Sequence, residues 1–266
     1  MPSIPNLELL TRIGFAARGV MYLIIGYLAL RFGRSENTSG ALEFLAEGSG
    51  KLLLAVMAVG FLAYGIWRLS EAVVDTEGQG TEPKALAARI GGGVSGLVHV
   101  GLAFVALDLA LGQPGAGGGG DEAEQGAATA LALPGGHVLV LIAGVALIGT
   151  GLYQLVNAAK ANFLRHLDGR AARQDWVKWF GRAGYAARGI VFVFIGWSLL
   201  QAGMSSQVSE ADGMAQSFDA LSGTLFTAVA IGFVLFGLFS FVEARHRKIT
   251  DPQVLDRLKG ATRSRF

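Results

Sequence analysis

The chain has 266 residues, of which 52 % are hydrophobic and 16 % charged, with 39 glycines and a net charge of +2. Soluble domains carry about 25 % charged residues, so this balance excludes an ordinary soluble domain and points to a membrane protein. The sequence holds no cysteine, which removes disulfides, thiolate metal sites and cysteine nucleophiles. Its basic residues lie between apolar runs, a placement that fits membrane topology and predicts no nucleic-acid partner.

In chain order, six segments are apolar over roughly the 20 residues a spanning helix needs: about 13–32, 52–70, 90–111, 137–158, 183–202 and 224–242. None alternates with the period of a membrane barrel strand. Met1 to Leu10 carry no positive n-region, so no cleavable signal peptide is expected. Residues 112–126 read as a flexible external loop. Residues 160–181 read as an inner interfacial segment, with Trp176, Trp179 and Phe180 at helical spacing. Residues 247–266 form a basic tail, which makes anionic lipid at the inner face a candidate partner.

The spans repeat. Arg12, Gly14, Ala16, Ala17, Arg18, Gly19, Ile25, Gly26 and Leu30 recur 170 residues later, and a weaker copy at an offset of 77 begins at Arg89. The second helices align too: Gly60 to Ala72 matches Ala146 to Ala158 and then Gly232 to Ala244. Three repeats follow, at 11–75, 88–160 and 181–246, within one membrane domain. Of the 22 Lys and Arg, only Arg31, Arg34 and Lys51 fall on one side, so that side is outside and both termini are cytoplasmic. All repeats then enter the membrane in the same direction. The expected fold is all-α: six transmembrane helices, as three parallel two-helix repeats about a pseudo-threefold axis normal to the membrane.

Charges inside such a bundle are the candidate functional groups. Repeat 1 has Arg18 and Glu71, and repeat 3 has Arg188 and Glu243. Repeat 2 has Ser95 and Asn157, losing both charges together. Removing one partner strands the other, so the spacing predicts ion pairs Arg18–Glu71 and Arg188–Glu243, with a neutral Ser95–Asn157 contact in their place. The competing arrangement gives the glutamates to local cations such as Arg68 or Arg247. His99 lies about ten residues, ~15 Å, into the third span, with Tyr22 at the matching position of the first. These two are the candidate cavity residues. The bland reading of His99 is a neutral ring bonded to Tyr22, Ser95 or a backbone carbonyl. Trp67, Tyr153 and Phe239 read as an inner aromatic belt. Gly91-x-Gly93-x-x-Gly96 fits a dinucleotide fingerprint but follows no strand, and reads as helix packing. No catalytic, cofactor or metal set is visible, so no catalytic residue, cofactor or metal is expected.

The motif R-x-G-x-A-A-R-G opens the first helix and Y-G-x-W-R-x-x-E-A closes the second. With three copies over about 11–245, the chain resembles the bacterial membrane family catalogued as domain of unknown function 1206. The middle copy departs at Ser95, Thr150 and Asn157. The resemblance implies a six-helix bacterial inner-membrane protein and no activity. The leading functional reading is a non-enzymatic scaffold or partner subunit, in contact with the bilayer and with a membrane protein or a second copy. The alternatives are a small-solute or ion transporter or channel between the repeats, and a lipid-binding protein or membrane enzyme using the inner Arg/Glu ring.

Overall fold

A computed structural model of the chain describes residues 4–33, 38–47, 50–75, 80–113, 122–207, 221 and 223–247. Among these, the helices are α1 (Ile4–Phe32), α2 (Thr38–Glu47), α3 (Lys51–Val74), α4 (Pro83–Ala110), α5 (Glu122–Leu131), α6 (Gly136–Lys160), α7 (Asp175–Ser205) and α8 (Gly223–His246), with a short 3₁₀ turn at Asn162–His166. Six of them, α1, α3, α4, α6, α7 and α8, are long and apolar enough to cross a membrane. Their outward faces carry exposed Leu52, Val56, Leu97, Phe104, Ile142 and Val145. Such a surface is stable only against lipid, and the protein is a multi-pass membrane protein.

Helix ends differ from the sequence expectation where polar residues extend a span. α1 begins well before Arg12, and α7 begins at Asp175, so Trp176 and Trp179 sit exposed on the first turns of a 31-residue helix that continues into the fifth span. The expected loop 112–126 is shortened from its far end, because α5 starts at Glu122. The tail beyond Arg247 lies outside the described residues.

α1 packs against α8 and α3, α7 against α6 and α8, and α4 against α3. The spans thus follow the order α4, α3, α1, α8, α7, α6, and its two ends, α4 and α6, barely touch. Glycine sets the closest approaches. An added Cβ would stand 2.8 Å from the Gly19 carbonyl oxygen at Gly237, 2.9 Å from that of Gly96 at Gly65, and 2.8 Å from that of Gly189 at Gly151. Each contact joins a first helix to the second helix of another repeat. Within a repeat, Gly14 takes Tyr64 and Gly184 takes Phe236 at similar range, whereas Gly91 has nothing within 4 Å.

Ring packing explains the difference. In repeat 1, Phe15 meets Tyr64 and Trp67 at 5.7 and 5.6 Å between centroids. In repeat 3, Tyr185 meets Phe236 and Phe239 at 5.4 and 6.1 Å. The aligned residues of repeat 2 are Gly92, Thr150 and Tyr153. One ring of three survives, and Tyr153 is 51 % exposed. Such ring pairs are worth about 0.5–1.5 kcal/mol each beyond area burial, so α4 and α6 lack what fastens the other two pairs. The expected aromatic belt is corrected accordingly: Trp67 and Phe239 are buried packing residues, and only Tyr153 faces outward.

The connection between α6 and α7 is pinned to the end of α8. The Asp168 backbone N–H donates to the His246 carbonyl at 2.8 Å, and the Asp168 carboxylate meets His246 Nδ1 at 2.8 Å. The backbone N–H of Ala171, the His246 ring and the N–H of Arg170 hold the Asp168 carboxyl down to about 2, from an ordinary 3.8. A lowered carboxyl stabilises the folded form above its ordinary value, and the contribution is lost as pH falls from there to the folded value. Amide protection at Arg170 and Ala171, corrected for intrinsic exchange, is therefore expected to hold at pH 5 and to fade between pH 3.8 and about 2. In Asp168→Ala it is expected to be low at pH 5 already; equal protection in variant and wild type would refute this role.

Candidate functional site

The charged residues gather toward one end of the bundle, on α1 and α7 and on the last turns of α3 and α8. Arg18 donates from Nε to Ser240 Oγ at 3.1 Å and from Nη2 to Glu243 Oε2. Glu243 is 1 % exposed and Arg18 8 %. The other carboxylate oxygen of Glu243 accepts from Arg247 Nη1 at 2.8 Å. Glu71, also buried, accepts from Arg68 Nη1 at 2.6 Å. The expected pair Arg18–Glu71 is not made, and neither is Arg188–Glu243. Arg18 takes Glu243 because α1 approaches α8 through Gly19 and Gly237. The pair joins two repeats instead of closing one.

Arg188 has no hydrogen-bond acceptor among the described residues. Its Nε is buried without a partner, and its guanidinium lies over the rings of Phe236, Phe192 and Tyr22 at 4.9, 5.1 and 5.5 Å. The expected Ser95–Asn157 contact is also absent, since their helices barely touch. The Ser95 carbonyl instead accepts from His99 Nδ1 at 2.7 Å, and Asn157 Oδ1 is buried with no partner.

A carbonyl only accepts, so the His99 proton is on Nδ1. The ring packs against Tyr64 and Phe61, at 4.5 and 6.1 Å. Tyr22 packs instead on Phe233 and Phe236 of α8, at 5.2 and 4.8 Å. The two candidate cavity residues therefore lean on different helices. Among the described residues no group of three His, Asp or Glu could hold a metal ion.

A second set of arginines escaped the sequence reading. Arg12 Nη1 donates to the Ala244 and Arg245 carbonyls at 3.1 and 2.6 Å. Arg89 donates to Ala72 and Val73, and Arg182 to Ala159. Each lies about two turns into the first helix of its repeat and caps carbonyls at the end of the second helix of another repeat, where a cation also meets the negative end of the helix dipole. The signal was available: this arginine persists in all three copies, while the Arg18 position changes to Ser95.

The three repeats place the chain among known sequences. The model of the family described as Domain of Unknown Function (DUF1206) matches residues 13–75, 90–161 and 183–247. The chain belongs to this family. It is also similar to a Bacillus subtilis (strain 168) protein described as "Uncharacterized protein YxxB", with 30 % identity over 259 residues, covering 92 % of this chain and 93 % of that one. No solved structure matches. The three matched segments follow the three repeats, so the DUF1206 unit is one helix pair.

Proposed function

We propose that this DUF1206 protein is a non-enzymatic scaffold or partner subunit of the bacterial inner membrane, with both termini cytoplasmic and its repeats arranged in parallel about a pseudo-threefold axis along the membrane normal. The observation that carries the reading is the filling of the bundle. Met21, Ile25, Phe61, Leu102, Ile195 and Phe233, from α1, α3, α4, α7 and α8, belong to one buried apolar cluster. Side chains in such a cluster leave no polar-lined route for a solute. The recurrence of one glycine approach and one arginine cap at each junction between repeats supports the axis. The Lys and Arg distribution supports the orientation.

Proteoliposomes give the test. Ion and small-solute flux is expected at the rate of protein-free vesicles; faster flux that scales with protein content would overturn the scaffold reading. The chain lacks cysteine, so single-cysteine variants report topology on the same preparations. Ser206→Cys is expected to react with impermeant reagent from the outer face and Ser3→Cys only from the inner one.

A further inference from the structure

Arg18 and Arg188 occupy the same position of the repeated motif, yet one is satisfied and the other is not. On α8, the residues that serve Arg18 are Phe236, Ser240 and Glu243. Eighty-six residues earlier, on α6, the aligned residues are Thr150, Gln154 and Asn157. The register is equivalent, because Gly151 meets Gly189 as Gly237 meets Gly19. The turn of α6 that faces α7 therefore offers neutral groups where α8 offers a carboxylate. Gln154 and Asn157 are buried, and Thr150 spends its hydroxyl on the Ala146 carbonyl.

The carboxylate nearest to this place is already taken: Arg18 and Arg188 share the Phe236 ring, each at 4.9 Å, but Glu243 gives one oxygen to Arg18 and the other to Arg247. A guanidinium partly out of water without an anion is costly, and a phosphate oxygen is its natural partner. Beside this place the bundle is open, because α4 and α6 barely touch. Val94 and Val98 on α4, and Ala146 and Thr150 on α6, are exposed. In repeats 1 and 3 the aligned residues Ala17, Met21, Ala187, Val191, Tyr64 and Phe236 are buried.

We infer that the opening between α4 and α6 holds one anionic phospholipid, its headgroup phosphate on Arg188 beside Asn157 and its acyl chain in place of the missing helix contact. Neither part alone selects this occupant. The arginine selects an oxyanion, and the adjoining apolar opening selects one that carries a hydrocarbon tail. The inference stands independently of the scaffold reading.

The full chain, purified in neutral detergent and stripped of lipid, is titrated with phosphatidylglycerol, phosphatidylcholine or inorganic phosphate. Melting temperature and lipid retained in native mass spectra are read. Phosphatidylglycerol is expected to stabilise and to be retained at one copy, with little effect from the other two. Asn157→Glu supplies Arg188 with the carboxylate that Arg18 already has. It is expected to raise the melting temperature of the lipid-free protein and to weaken phosphatidylglycerol retention about tenfold, the worth of one charge-assisted contact. Arg188→Gln is expected to weaken retention similarly without the gain in stability. Equal retention by wild type and both variants would overturn the proposal. So would equal stabilisation by phosphatidylcholine or by inorganic phosphate, or a dimer in which cysteines on α4 and α6 cross-link between copies.

Discussion

Glu243→Ala is expected to lower stability by about 3–5 kcal/mol, the cost of breaking a buried ion pair from one side. The carboxylate is 1 % exposed and accepts from two guanidiniums, Arg18 and Arg247. Its loss strands Arg18 on a buried face with only Ser240 and ring faces for company. Glu243→Gln keeps an acceptor and is expected to cost less. Thermal unfolding in detergent, followed by the fraction that remains monodisperse, measures both. A double-mutant cycle then separates the two pairings open to Arg18. Arg18→Gln with Glu243→Gln is expected to lose less than the sum of the single changes, because once the Arg18 guanidinium is gone the second change weakens only the contact with Arg247. Arg18→Gln with Glu71→Gln is expected to add, since Glu71 takes Arg68. Additivity in the first cycle and coupling in the second would restore the pairing within a repeat.

That contrast shows what the sequence carried and what it withheld. The six spans were legible because apolar length is a one-dimensional signal. The repeat was legible because each copy keeps its glycines and arginines. The partner of Arg18 was not, because an alignment of repeats is the same whether a first helix pairs with its own second helix or with another repeat's. The paired loss of Arg and Glu in repeat 2 misled for the same reason. Ser95 and Asn157 belong to two different junctions, one with α3 and one with α7, and their losses leave Glu71 to Arg68 and Arg188 without an acceptor. A better signal lay in the glycines. Gly19, Gly96 and Gly189 persist with Gly65, Gly151 and Gly237, so the junctions between repeats are kept in all three copies. Tyr64 and Phe236 face Gly14 and Gly184, but Thr150 replaces the ring opposite Gly91, so the contact within the repeat fails in the middle copy alone.

Gly151→Val is the steric counterpart of the electrostatic test. A Cβ at Gly151 would lie 2.8 Å from the Gly189 carbonyl oxygen, 2.8 Å from Val193 Cγ2 and 3.0 Å from the Val193 backbone nitrogen. Two of these three are backbone atoms within α7, which cannot rotate aside. The helices must separate, at a cost of about 1–3 kcal/mol or more for overpacking. Separation is serious here because α6 has little else to hold it: α4 barely touches it, and α5 is a 10-residue helix. The expected result is a marked fall in melting temperature and loss of disulfide formation between cysteines placed across α6 and α7. Gly149 supplies the control on the same helix, two residues away, with nothing within 4 Å of an added Cβ. There Gly149→Ala is expected to gain up to about 1 kcal/mol from helix propensity. Opposite signs at positions 149 and 151 would locate the effect in the backbone contact. A loss of similar size at both would overturn the role of this approach, because helix propensity predicts a gain at either position and only position 151 has the backbone contact.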